Sequence, residues 1–249
     1  MMKLQDLKVK LFTDGAEKAQ IVEMAKNPWI AGFTTNPSLL KKAGVTDYAA
    51  YGRDLVAAVP DRHISFEVFS DDIPEMIAQG RVIASWGENV YLKLPVSTTR
   101  GETLYDAVRT LSREGIKINM TAIFTTEQVT RAMEALSGGA PAIVSVFAGR
   151  LADFGIDYRP IMRAAIAQAR ATKTIEIIWA STREAFNVIE ADEMGCHIIT
   201  APADVLKKLP AMGSKTGAQL SLEAVSGFRQ DALAAGLTLD IPGHIRAAE

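Results

Sequence analysis

Residues 89–124 read NVYLKLPVSTTRGETLYDAVRTLSREGIKINMTAIF, and they hold one complete strand–helix–strand unit. The segment NVYLKLP, ending at Pro95, and the segment IKINMTAIF, around Thr121, are short, apolar and β-rich. Between them, residues 103–114 carry apolar side chains at three- and four-residue spacing, the period of a helix with one buried face. A helix that returns the chain to a second parallel strand covers the sheet it leaves, so such strands are buried on both faces.

The same unit recurs in both directions. Upstream lie KVKLFTD ending at Asp14, AGFTTN ending at Asn36 and HISFEVF ending at Phe69. Downstream lie AIVSVFAGR near Phe147, TIEIIWAS near Ser181 and CHIITAP near Thr200. Helical periodicity fills the gaps over residues 16–26, 48–59, 73–86, 127–136, 161–171, 183–193 and 222–235. Asp72 and Thr126 are the expected N-caps of two of these helices.

About eight strand–helix units in one chain predict an α/β protein of the closed (β/α)8, or TIM-barrel, class. A doubly wound open sheet is the alternative, but it usually has a glycine-rich phosphate loop after its first strand. Here that position reads FTDGAEKAQ, without G-x-G-x-x-G. At 249 residues the chain is expected to be a single barrel domain over 1–249. Its helix and tail from about residue 215, ending LDIPGHIRAAE, are expected to pack on the barrel or on a neighbouring subunit.

Composition narrows the function. Hydrophobic residues make up 48% and charged residues 22%, the balance of a globular protein with a large core. A net charge of -2 argues against a nucleic-acid partner, which requires a concentrated positive field. It leaves room for a few arginines to bind one small phosphorylated substrate. Cys196 is the only cysteine, so no intrachain disulfide is expected. The N-terminal MMKLQDLKVK lacks an apolar stretch of signal-peptide length, and no apolar run approaches the roughly 20 residues that span a bilayer. A cytoplasmic protein with no membrane partner is the expectation.

In a barrel of this class, chemistry sits where strand C-termini meet the following loops. The polar groups there are Asp14, Thr34, Asn36, Glu67, Lys93, Asn119, Thr121, Ser145, Arg150, Ser181 and Arg183. A doubly buried strand should be apolar throughout, because an unpaired buried polar group costs on the order of 1–3 kcal/mol. Lys93 in VYLKLP and Glu67 in ISFEVF break that rule most plainly. A lysine on the outer face, with its stem under a helix, is the plain alternative for Lys93. Aimed into the barrel and desolvated, it would supply a neutral amine that attacks a ketone and forms an iminium.

Glu67 and Asp14 would then move the protons. Taken singly, Asp14 is equally well a turn residue before Gly15, and Glu67 a buried partner for an arginine. Arg150 and Arg183, solvated arginines if taken alone, could together grip a phosphate bidentately. Asn36 precedes Pro37 and also reads as a helix N-cap. His63, His197 and His244 lack metal-ligand spacing, so no metal is expected. Cys196 beside His197 reads as a small buried apolar group, and Trp29, Trp86 and Trp179 as core residues.

These segments resemble the transaldolases and the related fructose-6-phosphate aldolases. The likeness is carried by GFTTNPSLL around Asn36, SFEVFS around Glu67, VYLKLPVS around Lys93, EGIKINMTAIF around Thr121, SVFAGRLADF around Arg150 and WASTREAF around Ser181. It runs in order from about Val9 to about Leu206. The resemblance implies a Schiff base on Lys93, acid/base work by Asp14, and a catalytic water held by Glu67 and Thr121. It implies that Thr34, Asn36, Asn119 and Ser181 bind the dihydroxyacetone unit and that Arg150 and Arg183 bind the substrate phosphate; Ser145 and Phe147 are further expected substrate-binding residues. No cofactor is implied, because the iminium is the electron sink.

Two positions bear on the branch. Transaldolases carry glutamate where the aldolases carry glutamine, and phenylalanine before the arginine where the aldolases carry tyrosine; this chain has Glu67 and Phe147. The resemblance therefore implies transfer of dihydroxyacetone from sedoheptulose 7-phosphate or fructose 6-phosphate to an aldose phosphate. The alternatives are an aldolase releasing free dihydroxyacetone, or acting on an unusual ketose, and a catalytically silent barrel. The length is nearer the small branch, and a homo-oligomer is expected. TDGAE around Asp14, Thr182 in place of an aromatic and Ala148 in place of a bulkier residue depart from the family pattern.

Overall fold

The computed structural model describes residues 4–239. The first half of the chain comprises β1 (Lys10–Asp14), α1 (Lys18–Ala25), β2 (Ile30–Thr34), α2 (Pro37–Lys42), α3 (Tyr48–Ala58), β3 (His63–Glu67), α4 (Ile73–Ala84) and β4 (Val90–Pro95). The second half adds α5 (Tyr105–Arg113), β5 (Ile118–Ile123), α6 (Thr126–Leu136), β6 (Ala142–Val146), α7 (Ala148–Asp153), α8 (Arg159–Arg170), β7 (Ile175–Trp179), α9 (Phe186–Met194), β8 (Ile198–Pro202), α10 (Ala203–Leu206) and α11 (Gly217–Ala234). The eight strands are parallel and close in chain order, with β8 pairing back onto β1. The predicted (β/α)8 barrel is the fold.

Strand alternation divides the core in two. One face of each strand packs under the helices in a large apolar layer containing Leu11, Phe33, Phe66, Leu92, Leu94, Ile118, Val144, Ile177 and Ile199. The other face points into the barrel, where Phe12, Tyr91, Ile143, Ile178 and Ile198 form a separate buried cluster. That inner cluster plugs the lower barrel. Gly32 is required there, because a Cβ would lie 2.6 Å from the Phe12 ring.

Two residues further along, the same strands present Asp14, Lys93, Ser145, Ala180 and Thr200. The two-residue period and the apolar plug together decide that these groups face a common cavity at the C-terminal end.

Several details differ from the sequence expectation. The cap of α6 is Thr125, not Thr126: Thr125 accepts from the Gln128 amide while the Gln128 side chain accepts from the Thr125 amide. This reciprocal pair satisfies two orphan N–H groups, which a cap one residue later would not. Asp72 caps α4 as expected. Trp179 is fully buried, but Trp29, in the turn before β2, is 48% exposed. Arg150 lies within α7 rather than at the end of β6. Cys196 is buried as expected, and burial pushes its thiol up to about 12.

No residue of α11 is buried, and Leu220, Leu222, Val225, Phe228 and Leu233 are exposed on it. The final tail, from residue 240, lies outside the described residues. Among the described residues no helix is long and apolar enough to cross a membrane.

Candidate active site

Lys93 enters the barrel from the middle of β4, a strand buried along nearly its whole length. The residue is only 7% exposed, so its ammonium must be partnered. Its Nζ lies 3.1 Å from Glu67 Oε2 and donates to the Thr35 carbonyl at 2.9 Å. Glu67 ends β3 in direct register with Lys93, which places the two side chains on the same inward face.

The cavity above them has a volume of about 250 Å³. It is lined by Asp14, Thr34, Asn36, Lys93, Asn119, Thr121, Ser145, Phe147, Arg150, Ser181 and Arg183. Every site residue expected from sequence lines it except Glu67, which reaches it through Lys93 and forms part of the wall of a neighbouring apolar hollow.

Asp14 ends β1 opposite Thr34 of β2, whose hydroxyl donates to Asp14 Oδ1 at 3.2 Å. Burial raises the Asp14 carboxyl above its ordinary range; Lys93 and the Thr34 hydroxyl oppose that shift, and Glu67 adds to it. A carboxyl raised in this way is suited to exchange a proton during a reaction.

Asn119 is locked by both ends of its amide. Its Nδ2 donates to Ser65 Oγ at 3.0 Å, and its Oδ1 accepts from Ser145 Oγ at 2.6 Å. Asn36 caps α2, accepting from the Leu39 amide at 2.9 Å, so the cap reading and the site reading hold at once. The Thr121 hydroxyl is buried without a hydrogen-bond partner among the described residues. Next to it Ala122 has φ of 60°, where the register of β5 on β6 slips. A left-handed alanine is costly and marks a site where backbone is bent to aim a side chain.

The arginine side of the cavity is built by close backbone approach. Ser181 follows β7 with φ of 67°. Gly149 of α7 packs so near that a Cβ there would lie 1.6 Å from the Ser181 carbonyl oxygen. Only glycine permits that contact. It brings Arg150, on α7, and Arg183, after β7, to one wall. Arg183 makes a forked pair with Asp153, at 2.6 to 3.0 Å, while Arg150 lies 5.3 Å over the Phe147 ring.

A buried lysine paired to a carboxylate, a second carboxylate of raised pKa and two arginines around one cavity suit carbonyl chemistry on an anionic substrate. The family model described as Transaldolase/Fructose-6-phosphate aldolase matches residues 11–240 of the chain. The chain belongs to that family of enzymes. A probable transaldolase of Dehalococcoides mccartyi is 34% identical over 203 residues, covering 81% of this chain and 90% of that protein. A probable transaldolase of a Thermoanaerobacter species is 36% identical over 232 residues, covering 93% of this chain and 100% of that protein. The crystal structure of 2,3-dimethylmalate lyase has the same fold, with a TM-score of 0.51 and 14% identity over 97% of this chain and 89% of that one.

In this member of the transaldolase/fructose-6-phosphate aldolase family, the sequence reading missed several supports of the site. Thr200 and Thr182 line the cavity, Ser65 holds Asn119, Asp153 holds Arg183, and Gly149 sets the approach of α7. Thr200 carried the same signal as the residues that were found, a polar group ending an apolar strand. Asp153 carried none, and Ser65, a polar residue inside β3, gave no sign of its contact to Asn119. Among the described residues no group of three or more His, Cys, Asp or Glu side chains is placed to hold a metal ion.

Proposed function

We propose that the protein is a transaldolase that moves a dihydroxyacetone unit between sugar phosphates through a Schiff base on Lys93. The observation that carries this reading is the position of Lys93 Nζ, inside a buried barrel 3.1 Å from the Glu67 carboxylate. In this reading Glu67 takes the lysine proton, and the amine adds to the C2 carbonyl of fructose 6-phosphate or sedoheptulose 7-phosphate. Loss of water leaves the iminium. Asp14 then accepts the proton of the C4 hydroxyl as the C3–C4 bond breaks, and its electron pair moves into the iminium to give an enamine. The aldose phosphate leaves, another enters, and the steps run in reverse to release the new ketose.

The other residues support this by position. Thr34, Asn36, Asn119, Ser145 and Ser181 carry amide or hydroxyl groups around the cavity that suit the dihydroxyacetone hydroxyls. Arg150 and Arg183 suit the phosphate, with Asp153 fixing the plane of Arg183 before substrate arrives. Glu67 and the unpartnered Thr121 hydroxyl suit a water that adds to and leaves the iminium carbon. Phe147 supplies no hydroxyl to assist that water, which favours transfer over release of free dihydroxyacetone. The exposed apolar residues of α11 favour a homo-oligomer, and the reading is of a cytoplasmic enzyme.

The test is reductive trapping. Protein incubated with fructose 6-phosphate and borohydride is expected to gain a stable adduct that maps to Lys93 and is absent in Lys93→Ala. An adduct of equal yield in the variant would remove Lys93 from the chemistry. Triose phosphate release that needs erythrose 4-phosphate supports transfer; release independent of that acceptor favours the aldolase.

A further inference from the structure

Thr34 is expected from sequence to bind substrate, yet its hydroxyl is engaged on both sides. It donates to Asp14 Oδ1 at 3.2 Å and lies 2.6 Å from Thr200 Oγ1. Thr34 and Thr200 are buried, and they belong to β2 and β8, the strands that flank β1 and its Asp14. Thr200 is itself held from the β7 side, where the Thr182 hydroxyl donates to the Thr200 carbonyl at 2.7 Å.

A hydroxyl has a single proton to donate. While Asp14 is a carboxylate it can only accept, so the Thr34 proton points at it. The 2.6 Å contact then requires Thr200 to donate to Thr34. Each bond polarises the next, and the pair holds the carboxylate more firmly than Thr34 would alone. Once Asp14 gains a proton it becomes a donor, and the sequence reverses: Asp14 to Thr34, Thr34 to Thr200. The Thr200 proton is then released toward the cavity that Thr200 lines.

We propose that Thr200 is a positioning residue for Asp14, acting through the Thr34 hydroxyl: it aims that hydroxyl at the charged carboxylate and turns its own proton to the substrate side when the carboxylate is protonated. This rests on the reading that Asp14 carries the reaction's proton. The other charged groups that face Asp14 are Lys93 and Glu67 on β4 and β3, with Arg150 and Arg183 lining the same cavity. None of them touches Thr200 among the described hydrogen bonds and ion pairs, so a change at Thr200 leaves those charges in place.

The experiment follows fructose 6-phosphate cleavage with erythrose 4-phosphate as acceptor, across pH, in the full chain. Asp14→Asn is measured first. Loss of the acidic limb of kcat/KM supports the role of Asp14; a wild-type limb in that variant overturns the functional reading itself. Thr200→Val is then expected to lower kcat roughly tenfold, the upper end of what one hydrogen bond contributes. Its KM should stay within about twofold, and its acidic limb should move to higher pH because the carboxylate has lost support. Thr200→Ser should restore both. Thr200→Ala serves where the valine variant has a lowered melting temperature. A wild-type limb and kcat in a folded Thr200→Val or Thr200→Ala enzyme, beside a limb lost in Asp14→Asn, overturns the relay and leaves the functional reading standing.

Discussion

Glu67 Oε2 and Lys93 Nζ are 3.1 Å apart on adjacent strands in direct register, with both side chains largely shielded from solvent. Such a pair is costly to break and cheap to replace, because removing one partner leaves a buried charge alone. Glu67→Ala is therefore expected to destabilise the fold by about 3 kcal/mol. Adding Lys93→Met to it should restore most of that loss. Urea unfolding of the two single variants and the double variant measures the coupling, and single-variant losses that simply add in the double variant would mean the pair is not coupled.

Asp14 is expected to set activity against stability. Its folded carboxyl is raised by burial, so the charged form is less favourable in the folded chain than in the unfolded one. The stability this group contributes is present below the ordinary carboxylate pKa of about 3.9 and is lost as pH rises through the raised folded value. At neutral pH, Asp14→Asn is expected to melt at a higher temperature than wild type while losing activity. That advantage should close as the pH is lowered toward 4. A lower melting temperature for the variant at neutral pH would contradict the sign.

How far the site could be read from sequence follows the same physical division. Lys93 and Glu67 announced themselves because charged residues inside apolar strands need a reason, but the outer-face alternative for Lys93 fell only when its ammonium was found lining the cavity beside Glu67. The barrel itself was legible from the strand–helix–strand rhythm around residues 89–124. Ser65 and Asp153 were not legible, because each works by touching a side chain far away in sequence. Gly149 was invisible for another reason. Nothing in SVFAGR says that a carbonyl from another loop will arrive where its Cβ would have been. Trp29 misled because aromatic character alone does not say whether a residue in a turn is buried.

The lower end of the barrel predicts acid sensitivity. His63 lies inside it, with its ring 5.0 Å from that of Tyr91 and edge-on to Phe12, and its Nδ1 is buried without a hydrogen-bond partner among the described residues. Burial lowers its pKa, helped by Lys10 and Lys117 and opposed by Glu176. His197 is lowered by burial too. A lowered folded value means stability is complete above the unfolded pKa of about 6.5 and declines as pH falls through the folded values. Melting temperature should therefore drop between pH 7 and 5. His63→Leu should flatten part of that drop, and an unchanged slope would place the acid sensitivity elsewhere.

Gly149→Ala tests how the arginine wall is built. The new Cβ would meet the Ser181 carbonyl oxygen at 1.6 Å and the Arg183 side chain at 3.3 Å, so backbone must move. Overpacking of this kind costs roughly 1–3 kcal/mol, and here it also shifts both arginines. If the two arginines bind the substrate phosphate as proposed, the expected result is a KM for fructose 6-phosphate raised at least about tenfold, since a bidentate grip is sensitive to small displacements. Reductive trapping of Lys93 at saturating substrate should survive. A wild-type KM would show that α7 and the Ser181 loop can separate without disturbing the phosphate wall.

Phe147 addresses the choice between transfer and simple cleavage. Its ring lines the cavity, packs 5.4 Å from the Phe124 ring and supports the Arg150 guanidinium. A tyrosine there keeps the ring and those contacts while adding one hydroxyl that can orient a water toward the iminium carbon. In the proposed mechanism, phenylalanine gives hydrolysis of the dihydroxyacetone adduct less help, and the enamine waits for an aldehyde. Phe147→Tyr is expected to raise acceptor-independent release of dihydroxyacetone from fructose 6-phosphate several-fold. Transfer to erythrose 4-phosphate should change by less than about threefold, because the amine, the acid and the arginines are untouched. Product analysis with and without acceptor measures both rates. If the tyrosine variant releases no more free dihydroxyacetone than the parent, the missing hydroxyl is not what suppresses hydrolysis, and the barrier lies with Glu67 and Thr121, which suit the same water.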